Sequence, residues 1–277
     1  MLTLLDVLRG AADYLEKKGV ESPRLNAEHL LAHVLKKRRI ELYMEFDRPL
    51  GEIERAPLRE LVRARGEGRP LQHLLGTAEF MGREFLCDGR ALIPRPETEQ
   101  LVEAVLTRLP ADGLRMADVG TGSGVIAISL ALEKAGASIT ASDVSSAALE
   151  LARENASRLG AAIDFIEADL LPSGSDGFDA VVANLPYIAG GDLPSLSREV
   201  RHDPSLALDG GPDGMAIMMR LIPSARDALA PGGLLALEIG SGQEDPLVAC
   251  LQENNYRDIE ALPDYQGHIR FLMAKNG

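Results

Sequence analysis

Apolar side chains recur in the first 75 residues at a spacing close to 3.6 residues, the period of an amphipathic helix. This spacing runs through residues 4–15 and again through residues 27–35, and a further helix is predicted over residues 53–65. Glycine and proline then interrupt the pattern in residues 65–70, which indicates a linker. The N-terminal part is therefore predicted to be a small bundle of helices.

The pattern changes after this linker. Residues 78–88 contain the segment EFMGREFLC, which alternates around a glycine and is typical of a hairpin. Short apolar runs and longer helical stretches then follow one another. The predicted strands are 116–119, 138–142, 163–168, 178–183, 234–239 and 269–273, and the predicted helices between them are 125–133, 147–159 and 217–229.

An alternating series of strands and helices indicates a mostly parallel sheet with helices on both faces. We therefore expect an α/β, Rossmann-like fold preceded by the small helical bundle. The predicted domains are a helical domain over residues 1–75 and an α/β domain over residues 76–277, with a hairpin linker at about 76–98.

Charge is distributed unevenly between these parts. The chain of 277 residues has a net charge of −13, yet residues 1–75 contain 14 Lys and Arg against 12 Asp and Glu, a net of +2. The remainder has a net of −15 and should repel nucleic-acid phosphates, which argues against direct nucleic-acid binding. The basic run over residues 36–39 is interpreted as a solvated helix end.

Composition also bears on location and metals. The N-terminal stretch carries Asp6 and Asp13 and lacks a signal-peptide pattern, and no apolar run reaches the roughly 20 residues that span a bilayer. We therefore expect a cytoplasmic protein with no membrane association. Cys87 and Cys250 lie far apart, and the five histidines lack ligand spacing, so no metal site is expected.

A glycine-rich turn follows the first predicted strand of the α/β part and precedes a helix. It reads Asp118-Val119-Gly120-Thr121-Gly122-Ser123-Gly124. Glycines permit a tight turn and close approach of a ligand, and N–H groups at the helix start can face polar ligand atoms. The spacing departs from the dinucleotide fingerprint, because Val125 stands where a third glycine is required, and this disfavours NAD.

Acidic residues stand where successive strands end. Asp118 and Asp143 end the first two strands, and Asp169 follows the third. Asp143 can accept both hydroxyls of a ribose, or it can simply cap the next helix, and Asp169 can accept from an adenine amine. These three residues predict a nucleoside pocket at one edge of the sheet. Its acidic rim suits the cationic S-adenosylmethionine, which has no phosphate to neutralise.

The tetrapeptide Asn184-Leu185-Pro186-Tyr187 follows the fourth strand. An amide nitrogen is a poor nucleophile, but two acceptors that hold both of its N–H groups can orient its lone pair and stabilise positive charge on it. The side-chain oxygen of Asn184 and the carbonyl of Leu185 can form this pair. Pro186 would stiffen the turn, and the ring of Tyr187 would stack on the planar substrate group.

With this tetrapeptide the sequence resembles the class I S-adenosylmethionine-dependent methyltransferases, and more closely the release factor glutamine N5-methyltransferases, the PrmC/HemK family. The segments IPRPETE at 93–99 and LALDGG at 206–211 are the most specific parts of the resemblance. It implies that the substrate is the glutamine of the Gly-Gly-Gln loop in peptide chain release factors. By resemblance, the cofactor is lined by Gly120, Thr121, Gly122, Ser123, Gly124, Asp143, Asp169, Leu170 and Asn184.

The second tetrapeptide position departs from the family, which usually has N-P-P-Y where this chain has Leu185. The form N-L-P-Y is seen in ribosomal RNA adenine N6-dimethyltransferases, so an adenine N6-methyltransferase acting on RNA or DNA is the main alternative. A helical module in front of an acidic catalytic part favours the glutamine substrate. An inactive binding module and an NAD-linked dehydrogenase are the remaining alternatives.

Overall fold

A computed structural model describes residues 2–110, 113–172 and 174–277. The chain divides into two units. One unit comprises Met1–Thr77 together with Ser197–His202, and the other comprises Ala78–Leu196 together with Asp203–Gly277. The functional roles that we assign to the helical and α/β parts stay predictions.

The first unit is helical, as predicted. Its helices are α1 Leu4–Lys17, α2 Pro23–Leu35, α3 Arg39–Leu42, α4 Glu52–Gly66 and α5 Leu71–Leu75. Thr3 caps α1, since its hydroxyl accepts the N–H of Asp6 while the Asp6 carboxylate accepts the N–H of Thr3. The apolar faces of these helices form one core, in which Leu4, Leu15 and Leu30 are fully buried.

Arg65, near the end of α4, is a buried cation that joins several segments of this unit. Its guanidinium donates to the side-chain oxygen of Asn26 at 2.7 Å, to the carbonyl of Arg69 at 3.2 Å and to the carboxylate of Glu199 at 2.6 Å. Glu199 lies in the short segment Ser197–His202, which is remote in sequence from the helices. Arg65 therefore holds this segment to the end of α4 and to α2.

The second unit is built on a sheet. A hairpin of β1 Thr77–Phe80 and β2 Arg83–Leu86 precedes it, as predicted. The sheet strands are β3 Arg115–Val119, β4 Ser138–Asp143, β5 Asp164–Glu167, β6 Phe178–Asn184, β7 Leu229–Glu238, β8 Tyr256–Pro263 and β9 Ile269–Asn276. The helices are α6 Pro96–Arg108, α7 Val125–Glu133, α8 Ser146–Leu159, α9 Ala216–Ala228 and α10 Glu244–Glu253.

The sheet has seven strands in the order β5-β4-β3-β6-β7-β9-β8, and its first five strands are parallel. Strand β9 pairs antiparallel with both of its neighbours. This arrangement confirms the predicted mostly parallel α/β fold. Strand β8 and helices α6 and α10 were not predicted from the sequence.

Both faces of the sheet are covered at its centre, which explains why the central strands carry continuous apolar runs. Along β6, Ala180 and Val182 belong to the core that α6 and α7 share. Val181 and Ala183 belong to the core on the opposite face, with α9 and α10. Because no side of the strand faces water, polar residues are confined to the strand ends.

No helix within the three described ranges is both long and apolar enough to cross a membrane.

We predict that Arg65→Met destabilises the protein by about 2 kcal/mol or more, because it leaves buried acceptors without their charged donor. Methionine retains most of the apolar stem, so the loss reports the guanidinium. Arg63→Met on the same helix is the control, since Arg63 is 61% exposed and pairs at 3.4 Å with Glu60, which is itself exposed. Urea unfolding should give a change below about 0.5 kcal/mol for the control. Equal changes for both variants would contradict the role of Arg65.

Candidate active site

A cavity of about 350 Å³ opens at the carboxyl edge of the parallel strands. Most of the predicted site residues line it: Gly120, Thr121, Gly122, Ser123, Asp143, Asp169, Leu170, Asn184, Leu185 and Pro186. Gly124 and Tyr187 lie outside the lining. The topology thus brings together residues from the loop after β3 and from the ends of β4, β5 and β6.

The glycine-rich loop is held by its own hydrogen bonds. The N–H groups of Gly120 and Thr121 both donate to the carbonyl of Ser142, at 2.8 and 2.9 Å, and the N–H of Gly122 donates to the Asp143 carboxylate at 2.9 Å. These three N–H groups are therefore satisfied within the protein, and the prediction that N–H groups at the start of α7 face the ligand stays a prediction. A phosphate would need such donors, whereas a cationic ligand does not.

Three loop glycines have left-handed backbone, and two of them also lack room for a side chain. A Cβ on Gly120 would lie 2.7 Å from Cδ2 of Leu185, and one on Gly124 would lie 3.0 Å from Cδ1 of Ile128. Gly124 is thus required by the packing of α7, whereas Gly120 lets Leu185 fold against the loop.

Asp118 lies beneath the loop rather than on the rim of the cavity, which corrects its predicted position. Its carboxylate accepts the hydroxyl of Thr121 at 2.6 Å and the N–H of Ala127 at 3.0 Å, and its side chain is fully buried. Burial, with a smaller contribution from nearby Asp143, raises the pKa of Asp118 to about 7, against the effect of these two hydrogen bonds. Asp118 therefore organises the loop.

Asp143 faces the cavity from the end of β4. Its oxygens accept the N–H of Gly122 at 2.9 Å and the N–H of Ser145 at 2.8 Å. Ser145 itself caps α8 by accepting the N–H of Ala148. Capping α8 is thus the role of Ser145, and each oxygen of Asp143 keeps a lone pair for a ligand. Asp143 forms no salt bridge with the lysines and arginines that the structure describes.

Asp169 and Leu170 form the wall after β5. Asp169 pairs with Arg220 at 2.6 Å, but both side chains are more than half exposed, so the pair contributes little stability. Leu170 has φ +70°, in the left-handed region that disfavours a side chain. Such strain is often found at ligand sites, which supports a role for this turn.

Two further arginines line the cavity, and each is neutralised by carboxylates. Arg90 pairs with Asp88 and Glu154, both at 2.8 Å. Arg95 pairs at 2.7 Å with Asp203, whose side chain is fully buried. Arg95 therefore shapes the cavity through a structural ion pair.

The Asn184 amide is held from behind by a buried relay. Its Nδ2 donates to Oγ1 of Thr98 at 2.9 Å, and the Thr98 hydroxyl donates to Oε2 of Glu238 at 2.8 Å. Thr98 is 3% exposed and Glu238 is 1% exposed. The hydroxyl of Tyr187 donates to Oε1 of Glu238 at 3.4 Å. The Glu238 carboxylate thus accepts from the Thr98 hydroxyl, which leads to Asn184, and from the hydroxyl of Tyr187.

Burial governs the titration of both acids in this relay. It raises the pKa of Glu238 to about 7, despite the hydrogen bond from Thr98 and the charge of Arg270. Burial, followed by the charge of Glu238, raises the pKa of Tyr187 to about 12. The phenol of Tyr187 therefore remains a hydrogen-bond donor near neutral pH.

The segment after the tetrapeptide packs against its backbone. A Cβ on Gly210 would lie 2.7 Å from the carbonyl oxygen of Pro186, and the Gln243 side chain donates to the carbonyl of Tyr187 at 2.9 Å. These supporting residues, together with Thr98 and Glu238, were missed in the sequence. Thr98 and Gly210 carried a signal only as members of the segments 93–99 and 206–211, and Glu238 carried one as a charged residue at the end of an apolar strand.

No histidine lines the cavity within the described part of the chain. A search of the same residues finds no group of three or more side chains suited to hold a metal ion. The polar groups that do line the cavity are amide, hydroxyl, carboxylate, guanidinium and backbone groups.

Comparison with known proteins places the chain among methyltransferases. The family description "PrmC N-terminal domain" matches residues 6–76, and "Methyltransferase small domain" matches residues 97–201. The release factor glutamine methyltransferase of Moorella thermoacetica is 43% identical, with 99% of this chain and 98% of that protein covered. The protein of that name from Geobacter sulfurreducens is 39% identical, with 99% and 97% covered.

Solved structures share the fold of the second unit. A 16S ribosomal RNA methyltransferase from T. thermophilus, solved in complex with AdoMet and guanosine, superimposes with a TM-score of 0.53. The match covers 73% of this chain and 50% of that chain at 20% identity. The likeness supports the Rossmann-like methyltransferase fold that the sequence predicted.

We predict that Gly120→Ala weakens the binding of S-adenosylmethionine by about 10-fold or more, because the new Cβ must displace the loop or Leu185. Gly160→Ala is the control, since Gly160 has a similar φ of +75° and nothing within 4 Å of the added Cβ. It should cost stability without changing the affinity measured by calorimetry. Adding Leu185→Ala to Gly120→Ala should recover part of the loss. Unchanged affinity in Gly120→Ala would refute this packing constraint.

Proposed function

Since the chain belongs to the release factor glutamine methyltransferases, we propose that it methylates the glutamine of the Gly-Gly-Gln motif in peptide chain release factors. The methyl group comes from S-adenosylmethionine and is added to the side-chain amide nitrogen, N5. The observation that carries this proposal is the Asn184 amide, which is oriented by the Thr98 relay with its oxygen directed away from Thr98. The Asn184 oxygen is therefore available as a hydrogen-bond acceptor at the cavity, whose lining includes the carboxylates of Asp143 and Asp169.

The residues of the cavity fit the methyl donor. S-adenosylmethionine supplies a cationic sulfonium that carries the reactive methyl group. Asp143 has a spare lone pair on each oxygen for the ribose hydroxyls, and the loop from Gly120 to Gly124 permits close approach of the ligand. Asp169 and Leu170 are assigned to the adenine end. The negative charge of Asp143 stabilises a cationic ligand nearby.

Asn184 and Leu185 activate the substrate amide. The lone pair of an amide nitrogen is delocalised, so it attacks poorly unless it is oriented toward the methyl carbon. The oxygen of Asn184 accepts one N–H of the glutamine, and the carbonyl of Leu185 accepts the other. These acceptors stabilise the positive charge that develops on nitrogen during transfer. Leu185 supplies this carbonyl as well as proline would, because only its backbone is used.

The proton leaves the product without a protein base. No histidine lines the described cavity, and burial raises the pKa of Tyr187 to about 12, so its phenol stays protonated and is a poor base. As the N–C bond forms, the bond from the methyl carbon to sulfur breaks and its electron pair stays on sulfur, which leaves a neutral thioether. The substrate nitrogen then carries an extra proton of high acidity. This proton passes to water, so that nitrogen gains one methyl group and loses one proton.

The helical unit is assigned to recognition of the release factor. Its mildly positive charge differs from that of the acidic catalytic part. The helical unit matches the PrmC N-terminal domain, and a relative that aligns with 99% of this chain is named for release factors. We propose no direct contact with nucleic acid. A protein substrate of the translation machinery is consistent with a cytoplasmic location.

The substrate assignment is tested by incubating the enzyme with labelled S-adenosylmethionine and both a release factor and ribosomal RNA. We expect label only in the release factor, and only in a peptide that contains its Gly-Gly-Gln glutamine. A release factor with Gln→Ala at that position is the control and should stay unlabelled. Label in adenines of the RNA would instead favour the alternative that the N-L-P-Y sequence raises.

The acceptor pair is tested by Asn184→Ala and Leu185→Pro. Removing the Asn184 oxygen should lower the single-turnover rate at saturating cofactor by about 100-fold, the usual order for losing one preorganised polar group. Leu185→Pro keeps the carbonyl, so its rate should change much less. The Leu185 side chain is buried in the core, so the Leu185→Pro protein should be less stable, and its stability must be measured separately. Near-wild-type transfer by Asn184→Ala would contradict the acceptor pair.

A further inference from the structure

We propose that Thr98 and Glu238 are positioning residues for methyl transfer, because they fix which atom of the Asn184 amide faces the substrate. This inference rests on the proposed function. Asn184 and Glu238 are paired in register at the carboxyl ends of the adjacent parallel strands β6 and β7. Thr98 lies in the first turn of α6 and contacts both of them. Three separate elements therefore meet behind the Asn184 amide.

The direction of each hydrogen bond follows from the carboxylate. An ionised carboxylate can only accept, so the single hydroxyl proton of Thr98 points to Glu238. The Thr98 oxygen can then only accept from the neighbouring amide, which requires the Nδ2 side of Asn184. The remaining atom, Oδ1, is left to accept from the substrate.

If the Asn184 amide were rotated by about 180°, it would lose its hydrogen bonds both to Thr98 and to the substrate. With Nδ2 and Oδ1 exchanged, Oδ1 of Asn184 would meet the oxygen of Thr98 without a proton between them. The NH₂ group would then meet the NH₂ group of the substrate glutamine, donor against donor. Thr98 borders the cavity, but it is only 3% exposed and Glu238 is 1% exposed, so water compensates poorly for the lost bonds. The relay therefore selects the reactive orientation before the substrate binds.

Glu238 also reaches the other end of the tetrapeptide through the hydroxyl of Tyr187. Its side chain does not line the cavity, so it acts through its neighbours rather than on the substrate. The charged groups that face it are Arg270, which favours its ionised form, and Glu97, which disfavours it. Thr98 and Tyr187 both donate to the ionised form and so favour it.

The relay should depend on pH. Burial raises the pKa of Glu238 to about 7. Above this pH the carboxylate is ionised and orients the Thr98 hydroxyl. Below it, a protonated Glu238 can itself donate to Thr98, which frees the Thr98 proton and permits the reversed amide. The rate of transfer should therefore fall as the pH drops through about 7.

The main test uses matched threonine variants of the full chain in a single-turnover assay with a release factor at saturating S-adenosylmethionine. Thr98→Val keeps the shape but removes the relay, and should slow transfer by about 10-fold or more. Thr98→Ser restores the hydroxyl and should stay within about 3-fold of wild type. Thr107→Val on the same helix is the control, because the exposed hydroxyl of Thr107 donates to the carbonyl of Ala104 in its own helix.

The results separate the relay from a purely structural effect. Cofactor affinity and melting temperature should differ little between Thr98→Val and Thr98→Ser, while the rates differ. Equal rates for wild type and Thr98→Val, or an equal loss in both Thr98 variants, would overturn the inference. If wild type itself transfers no methyl group to the release factor, the proposed function fails instead, and the two failures are distinguishable.

A pH profile of Glu238→Gln gives an independent test if a threonine variant folds poorly. Wild type should lose transfer rate at low pH with a midpoint near 7, and Glu238→Gln should lack this step because glutamine does not titrate. Asp118, which has a similar pKa, is unchanged in both proteins. A step of the same size and midpoint in both would therefore show that Glu238 does not set the dependence.

Discussion

A buried carboxylate beside an amide fixes the direction of the hydrogen bonds that connect them, and this constraint governs the site. Glu238 can only accept when it is ionised, Thr98 has one proton to give, and Asn184 must then turn its NH₂ group inward. An amide side chain in water has no preferred end. Here the surrounding fold makes it a directed acceptor, which a weak amide nucleophile requires.

The parallel sheet makes this constraint possible. Its strands end at one edge, so Asp143, Asn184 and Glu238 stand in a row although they are far apart in sequence. Apolar cores pack against both faces of the sheet behind this edge, and Glu238 at the end of β7 is 1% exposed. Asp118 stabilises the loop from beneath, and Gly120 leaves space for Leu185. The departure at position 185 is therefore accommodated by packing with the loop, while the backbone carbonyl is retained.

The sequence predicted the alternating strands and helices because both sheet faces are buried, which leaves continuous apolar runs. It did not reveal β8, whose side chains are mostly exposed and lack both an apolar run and strict alternation. The loop, Asp143 and Asn184 were identifiable because each follows a predicted strand. Thr98 was not, since its contact with Asn184 joins residues 86 positions apart and depends on how α6 packs. The hydrogen bonds that Ser142 and Asp143 accept from the loop N–H groups could not be read from the sequence either, because they depend on how the loop folds over the end of β4.

Neutron diffraction from crystals of the perdeuterated protein, grown at about pH 8 so that Glu238 is ionised, tests the central claim most directly. Deuterium positions distinguish the nitrogen of an amide from its oxygen. We predict two deuterons on the Asn184 atom that faces Thr98, and the hydroxyl deuteron of Thr98 directed at Glu238. Deuterons on the Asn184 atom that faces the cavity would contradict the account.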